Sequence, residues 1–121
     1  QKVDTASRDT QVLVLCPTRE LCLQISKDFN AFTKYMPQLE VAAIYGGAGM
    51  EPQIKALRRG AQVVVGTPGR VIDLMERGIL VLSNIRWLVL DEADEMLNMG
   101  FKEDLDTILS GVPQERQTLL F

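Results

Sequence analysis

A chain of 121 residues is long enough for one hydrophobic core and no more, and is short for a doubly wound nucleotide-binding domain. Its 46% apolar and 24% charged residues are ordinary for a globular domain, no apolar run reaches the roughly 18 residues of a membrane span, and nothing at the start resembles a secretory signal, so a cytoplasmic protein with no membrane partner is expected. A net charge of −3 argues against a surface that coats nucleic acid with positive charge, and without histidine the two cysteines, Cys16 and Cys22, cannot complete a four-ligand zinc site and are assigned to core packing.

Residues 1–10 are polar and aperiodic and read as a loop or terminal segment, leaving 11–121 as the folded unit. Val12 Leu13 Val14 Leu15 Cys16 is a continuous apolar run, the pattern of a buried parallel strand, and Pro17 Thr18 ends it. A helical period follows, with Leu21, Ile25, Phe29 and Phe32 predicted inward, Thr18 as cap and Glu20 favourable near the positive end of the helix dipole. The second unit runs from Val41 to Tyr45, turns at Gly46 Gly47, and continues as a helix over Glu51 to Arg59 stopped by Gly60. Tyr45 is assigned to the core, with a stacking face for a base as the alternative.

The third unit is Gln62 Val63 Val64 Val65 Gly66, then a helix capped by Thr67, opened by Pro68, with Val71, Leu74 and Met75 inward and Gly78 as stop. Trp87 Leu88 Val89 Leu90 reads as a fourth strand buried on both faces, and it ends in Asp91, Glu92 and Asp94. Met96 and Met99, flanking that acidic turn, read as gap fillers of the core. One further helix carries Phe101, Leu105, Ile108 and Leu109 inward, and a fifth strand starts at Gln117. Five strands alternating with four helices predict a three-layer α/β/α fold with a mostly parallel sheet.

Carboxylates at the C-terminal end of a parallel strand lie where open α/β sheets bind ligands, and they suit a polyvalent cation or a water to be activated. This is the shape of a Walker B site, in which the first acid holds Mg²⁺ through water and the second polarises the water that attacks a nucleoside triphosphate. The bland reading is that the acids only cap a helix.

Asp91 Glu92 Ala93 Asp94 resembles the signature of the DEAD-box RNA helicases, and Pro17 Thr18 Arg19 Glu20 Leu21, Gly46 Gly47 and Thr67 Pro68 Gly69 Arg70 match that family's other landmarks in the family's order. Met99 Gly100 Phe101 continues the match, which covers Gln11 to Phe121. The resemblance implies an N-terminal RecA-like helicase domain that uses ATP and Mg²⁺. Asp91 would hold the metal through water, Glu92 would deprotonate the attacking water, and Asp94 would tie the site to a Ser-Ala-Thr motif.

It further implies that Pro17, Thr18, Arg19, Gly46, Gly47, Thr67, Pro68, Gly69 and Arg70 hold the backbone of single-stranded RNA or of one strand of a short duplex. Free N–H groups at strand-to-helix turns and two guanidiniums are the right donors for phosphate, and none of them reads a base edge. The family's Gly-x-x-x-x-Gly-Lys-Ser/Thr phosphate loop, its adenine-reading glutamine and Ser-Ala-Thr are not in this sequence. The expectation is therefore a RecA-like domain without its P-loop strand, part of an ATP-dependent helicase whose second RecA-like domain is its partner. By itself the segment is expected to be catalytically inactive and to self-associate. The competing expectation is an inactive RNA-binding or scaffold module that lacks a P-loop.

Overall fold

The computed structural model describes residues 3–121. Among them the order is β1 (Val12–Leu15), α1 (Arg19–Phe32), β2 (Val41–Ile44), α2 (Glu51–Arg59), β3 (Val63–Gly66), α3 (Pro68–Glu76), β4 (Trp87–Leu90), α4 (Ala93–Asn98), α5 (Lys102–Gly111) and β5 (Gln117–Leu120). The strands form one sheet in the order β2-β3-β1-β4-β5, and every neighbouring pair is parallel, so the sheet is wholly rather than mostly parallel. The register is level: Leu15 lies beside both Gly66 and Leu90, Ile44 beside Gly66, and Leu90 beside Leu120. Consequently the turns that leave β1, β2, β3 and β4 all emerge along one rim.

The strand order also decides how the helices are shared between the two faces. Crossovers between parallel strands are right-handed, so a connection running one way across the sheet lies on the opposite face from one running the other way. From β1 to β2 the chain moves outward in one direction, carrying α1; from β2 through β3 and β4 to β5 it always moves in the other, carrying α2 to α5. Successive side chains alternate, and the core follows that division. Leu13 and Leu15 pack with Ile44, Val71, Leu74, Leu88, Met96 and Ile108 on the many-helix face, while Val12 and Val14 pack with Cys22, Val63, Val65, Ile25 and Phe29 beneath α1.

One helix cannot cover five strands, and this corrects the reading of β4. Leu88 and Leu90 are buried, but Trp87 and Val89 are only half-buried, so the strand is fully covered on one face and partly open on the other. Beyond it β5 is exposed at all four positions. An open apolar groove of about 380 Å³ lies there, lined by Val14, Ile25, Phe29, Val89, Asp91 and Phe121.

Further corrections are local. Among the described residues there are five helices instead of four, because the acidic turn opens a short helix of its own before the Gly100 break, where φ is +89°. The buried stripe of α1 is centred on Cys22 and Ser26, with Leu21, Ile25 and Phe29 half-buried beside it and Phe32 exposed. Met96 is a core residue, whereas Met99 is exposed. Thr18 caps α1 by accepting a hydrogen bond from the Leu21 N–H at 3.2 Å, but Thr67, though it stands at the cap position of α3, makes no such side-chain bond.

Residues 3–10 have neither helix nor strand, yet two buried amides hold this stretch. Gln11 Nε2 donates to the Asp4 carbonyl at 2.9 Å, and Gln62 Nε2 donates to the Ser7 carbonyl at 2.9 Å. Gln62 also accepts from the Glu40 N–H at 2.8 Å, so this side chain is satisfied although it has no exposed surface.

Candidate nucleic-acid and nucleotide site

Three turns meet on the rim beyond β1, β2 and β3. Pro17 is buried, fixing the direction in which the chain leaves β1, and the Cys16 N–H donates to the Gly66 carbonyl at 3.1 Å. The Thr67 N–H donates to the Ile44 carbonyl at 3.1 Å, which ties the third turn to the second. A Cβ on Gly66 would lie 2.7 Å from both Ile44 Cγ1 and Val71 Cγ2, so the close approach of β3, β2 and α3 needs a glycine there. Gly47 is required for a different reason, because its φ of +81° is one that L side chains rarely adopt.

The result is a cleft of about 480 Å³ lined by Pro17, Arg19, Gly46, Thr67, Gly69, Arg70, Asp73 and Phe101. Six of the nine residues expected to hold RNA thus share one cleft. Of the others, Thr18 is engaged in capping α1, Gly47 lies alongside Arg19, and Pro68 is buried as the first residue of α3. Phe101 and Asp73 are additions. Phe101 reads from sequence as a core residue of a helical stripe, but the short α4 carries the chain back so that its half-buried ring reaches the cleft.

Two guanidiniums supply the positive charge. Arg19 is exposed and lies over the Tyr45 ring, 5.3 Å from its centroid. Arg70 is half-buried, and it donates from Nη1 to Gln53 Oε1 at 2.9 Å and from Nη2 to the Ala48 carbonyl at 3.3 Å. Among the described residues the ion pairs are Arg77 with Asp73 and Lys102 with Asp106, so neither cleft arginine is neutralised by a carboxylate. Beneath the first turn lie Cys16 and Cys22, both free and fully buried, with Cys22 Sγ 3.2 Å from the Val65 carbonyl. A hydrogen bond to Cys22, and then burial, hold the Cys16 thiol far above its ordinary range, which keeps it an inert packing group.

The acids form a second site, one strand further along the rim. The Asp91 N–H donates to the Leu15 carbonyl at 2.9 Å and the Ala93 N–H to the Phe121 carbonyl at 3.1 Å, so the turn is fastened to the strands on both sides. Between these anchors Glu92 has φ of +56°, the one non-glycine in the left-handed region among the described residues. Such strain persists where the surrounding structure fixes it, commonly at functional positions. Glu92 stands at the N-cap position of α4 but makes no capping bond, and no carboxylate of Asp91, Glu92 or Asp94 accepts a hydrogen bond from the described residues. The acids are therefore not consumed by capping a helix.

Asp91 is half-buried, while Glu92 and Asp94 are exposed, and no group of three or more potential ligands converges among the described residues. That donor set suits a cation that takes one or two carboxylates and fills its shell with water and ligand oxygens, which is the habit of magnesium.

Comparison with known proteins identifies the family. The model of the DEAD/DEAH box helicase family matches residues 1–121, including the polar segment before Gln11. The chain is 57% identical over 111 residues to the ATP-dependent RNA helicase DeaD of Buchnera aphidicola, covering 92% of this chain and 18% of that protein. Identity to the protein of that name from Mycobacterium tuberculosis is 55% over 120 residues, 99% of this chain and 21% of the relative, and to that from Escherichia coli K12 50% over 121 residues, 100% of this chain and 19% of the relative. The chain thus spans about a fifth of the length of these curated relatives. Among solved structures, the yeast DEAD-box splicing factor Prp28 superimposes with a TM-score of 0.87 at 38% identity, over 93% of this chain and 27% of that one. The chain belongs to the DEAD/DEAH box helicase family.

Proposed function

We propose that this segment is the RNA-gripping and acid-bearing part of the N-terminal RecA-like domain of an ATP-dependent RNA helicase, a cytoplasmic enzyme that couples ATP hydrolysis to binding and locally unwinding RNA. The observation that carries the reading is the convergence of six family-motif residues, with two unneutralised arginines, in one cleft on the carboxyl rim of the sheet. The cleft presents backbone N–H groups and guanidiniums to phosphates and nothing shaped to a base edge, so it grips one strand irrespective of sequence. Glu92 acts as general base, taking the proton of the water that attacks the terminal phosphate, and its carboxylate is free for that role because it makes no capping bond to α4. Asp91 would hold Mg²⁺, and Asp94, on the first turn of α4, would tie the acids to a Ser-Ala-Thr motif. Magnesium, when bound, supplies charge neutralisation on the transferred phosphoryl group. The cradle for the β and γ phosphates comes from a P-loop outside these 121 residues, and a second RecA-like domain closes on the same rim.

The test is ATP hydrolysis by the full-length protein over a titration of single-stranded RNA. Replacing Arg19 and Arg70 together by alanine should raise the RNA concentration for half-maximal stimulation by at least tenfold, the scale for losing charge-assisted hydrogen bonds, and leave unstimulated turnover within about twofold. Unchanged stimulation in that variant would remove the RNA assignment of the cleft.

A further inference from the structure

Gln53 is an anomaly of the sequence that the cleft explains. It lies on α2 with 7% of its surface exposed, among half-buried apolar neighbours, Ile54 and Leu57, where a leucine would fill the space at no polar cost. Instead an amide is buried there, and both of its ends are used. Nε2 donates to the Tyr45 carbonyl at 3.1 Å, and Oε1 accepts from the Tyr45 N–H at 3.2 Å. That reciprocal pair is what a neighbouring strand would give Tyr45, so the side chain extends the ladder one residue past the end of β2. The same Oε1 also accepts from Arg70 Nη1 at 2.9 Å.

One of the three bonds ends on Arg70, which lines the cleft, and the other two on Tyr45, the residue just before cleft-lining Gly46. The Gly46 Gly47 loop is pinned at its start, Tyr45, by Gln53, and at Ala48 by the other arm of Arg70, at 3.3 Å. The ring of Tyr45 in turn carries the Arg19 guanidinium. A loop with two consecutive glycines has little stiffness of its own. Two of the five N–H donors of Arg70 are spent on this frame, and the remainder are held in a fixed direction.

We propose that Gln53 is a positioning residue for RNA, which by one buried amide sets both the Gly46 Gly47 loop and the Arg70 guanidinium at the spacing of adjacent phosphates; this rests on reading the cleft as an RNA site. The amide is the required chemistry. A hydrocarbon of the same length loses all three bonds, and a carboxylate loses the donor to Tyr45 while setting a negative charge against Arg70.

The experiment is fluorescence anisotropy with the full-length protein and a labelled single-stranded oligouridylate, at several salt concentrations. Gln53→Met should raise Kd about tenfold, the scale of a lost hydrogen bond to a charged group. Arg70→Ala should do at least as much, and the double variant should bind within about twofold of Arg70→Ala, because the two residues act as a unit. Gln53→Glu, which keeps the shape and tests the same point should the methionine variant not fold, should weaken binding and flatten the slope of log K against log salt by about 0.7, the value of one neutralised phosphate contact. Parental affinity in Gln53→Met, fully multiplicative losses in the double variant, or an unchanged slope in Gln53→Glu would each overturn the proposal. Loss of affinity in Arg70→Ala with none in Gln53→Met removes the role of Gln53 alone; no loss in Arg70→Ala removes the RNA reading of the cleft and this inference with it.

Discussion

The guanidinium carbon of Arg19 lies 5.3 Å from the centroid of the Tyr45 ring, so the exposed cation of the first turn rests on the last side chain of the second strand's run. This gives Tyr45 two functions at once. Its ring packs among the residues beneath α1, as expected of an aromatic at a strand end, and its π face restrains a long, flexible cation at the mouth of the cleft. A base stacking on that face would have to displace the arginine.

Tyr45→Leu keeps an apolar side chain and removes the π face. It should weaken RNA binding by about twofold to fivefold, equivalent to the ~0.5–1 kcal/mol of an exposed cation–π contact, with little change in thermal stability. Anisotropy titration of the full-length protein measures this, and parental affinity would show that the ring does not help Arg19 hold phosphate.

Glu92→Gln in the full-length protein should leave ATP binding nearly unchanged and lower turnover by roughly a hundredfold or more, the usual size for losing a general base. The amide keeps the shape and the hydrogen-bonding reach without the basicity. Steady-state ATPase beside a nucleotide-binding titration separates the two effects, and turnover near the parental rate would remove the role given to Glu92.

The parts of this fold that were legible in the sequence are those set by short-range chemistry. Pro52 near the start and Gly60 at the end bracket α2, and the predicted Glu51 to Arg59 coincides with the observed helix. The three β-strand-to-turn boundaries beside the cleft were legible for the same reason, because Pro17, the Gly46 Gly47 pair and Pro68 each punctuate the chain. What was not legible depends on distant partners. An apolar run such as Trp87 Leu88 Val89 Leu90 does not reveal that its second face lacks a helix; that follows from strand order and crossover handedness. The six residues of α4 are too few to print a periodic stripe, with Met96 alone fully buried. Gln53 carries no signal in the sequence, and only its partners Tyr45 and Arg70 distinguish it.

Two glycines of the third turn should respond oppositely to the same change. Gly66→Ala places a methyl group 2.7 Å from two core side chains and should destabilise the fold by about 1–3 kcal/mol, the cost of overpacking a close contact. At Gly69 an added Cβ meets nothing within 4 Å, and φ is not positive, so Gly69→Ala should leave stability within about 1 kcal/mol of the parent or raise it slightly. Urea denaturation of the two variants decides the matter, and equal midpoints would contradict the packing described around β3.

The exposed edge of the sheet predicts self-association of the 121-residue segment studied alone. Leu119 and Leu120, on β5, and Phe121, just after it, are 46%, 67% and 71% exposed beside the open groove under α1, and among the described residues no strand pairs with the outer edge of β5. Such an edge is a template for pairing with a second copy, most simply about a two-fold axis. Light scattering over a concentration series should show a dimer, and Leu120→Lys should return it to monomer. A parent segment that stays monomeric at high micromolar concentration would count against this use of the edge.

The central claim, that the three turns hold one RNA strand by its backbone, is tested most directly by the salt dependence of RNA affinity for two single strands of unrelated sequence. With about three phosphates gripped by the turns at Thr18, Gly47 and Thr67, the slope of log K against log salt should be about −2, and the same for both strands. Arg19→Ala with Arg70→Ala should flatten it. A slope several units steeper, or a strong preference for one sequence, would contradict the account.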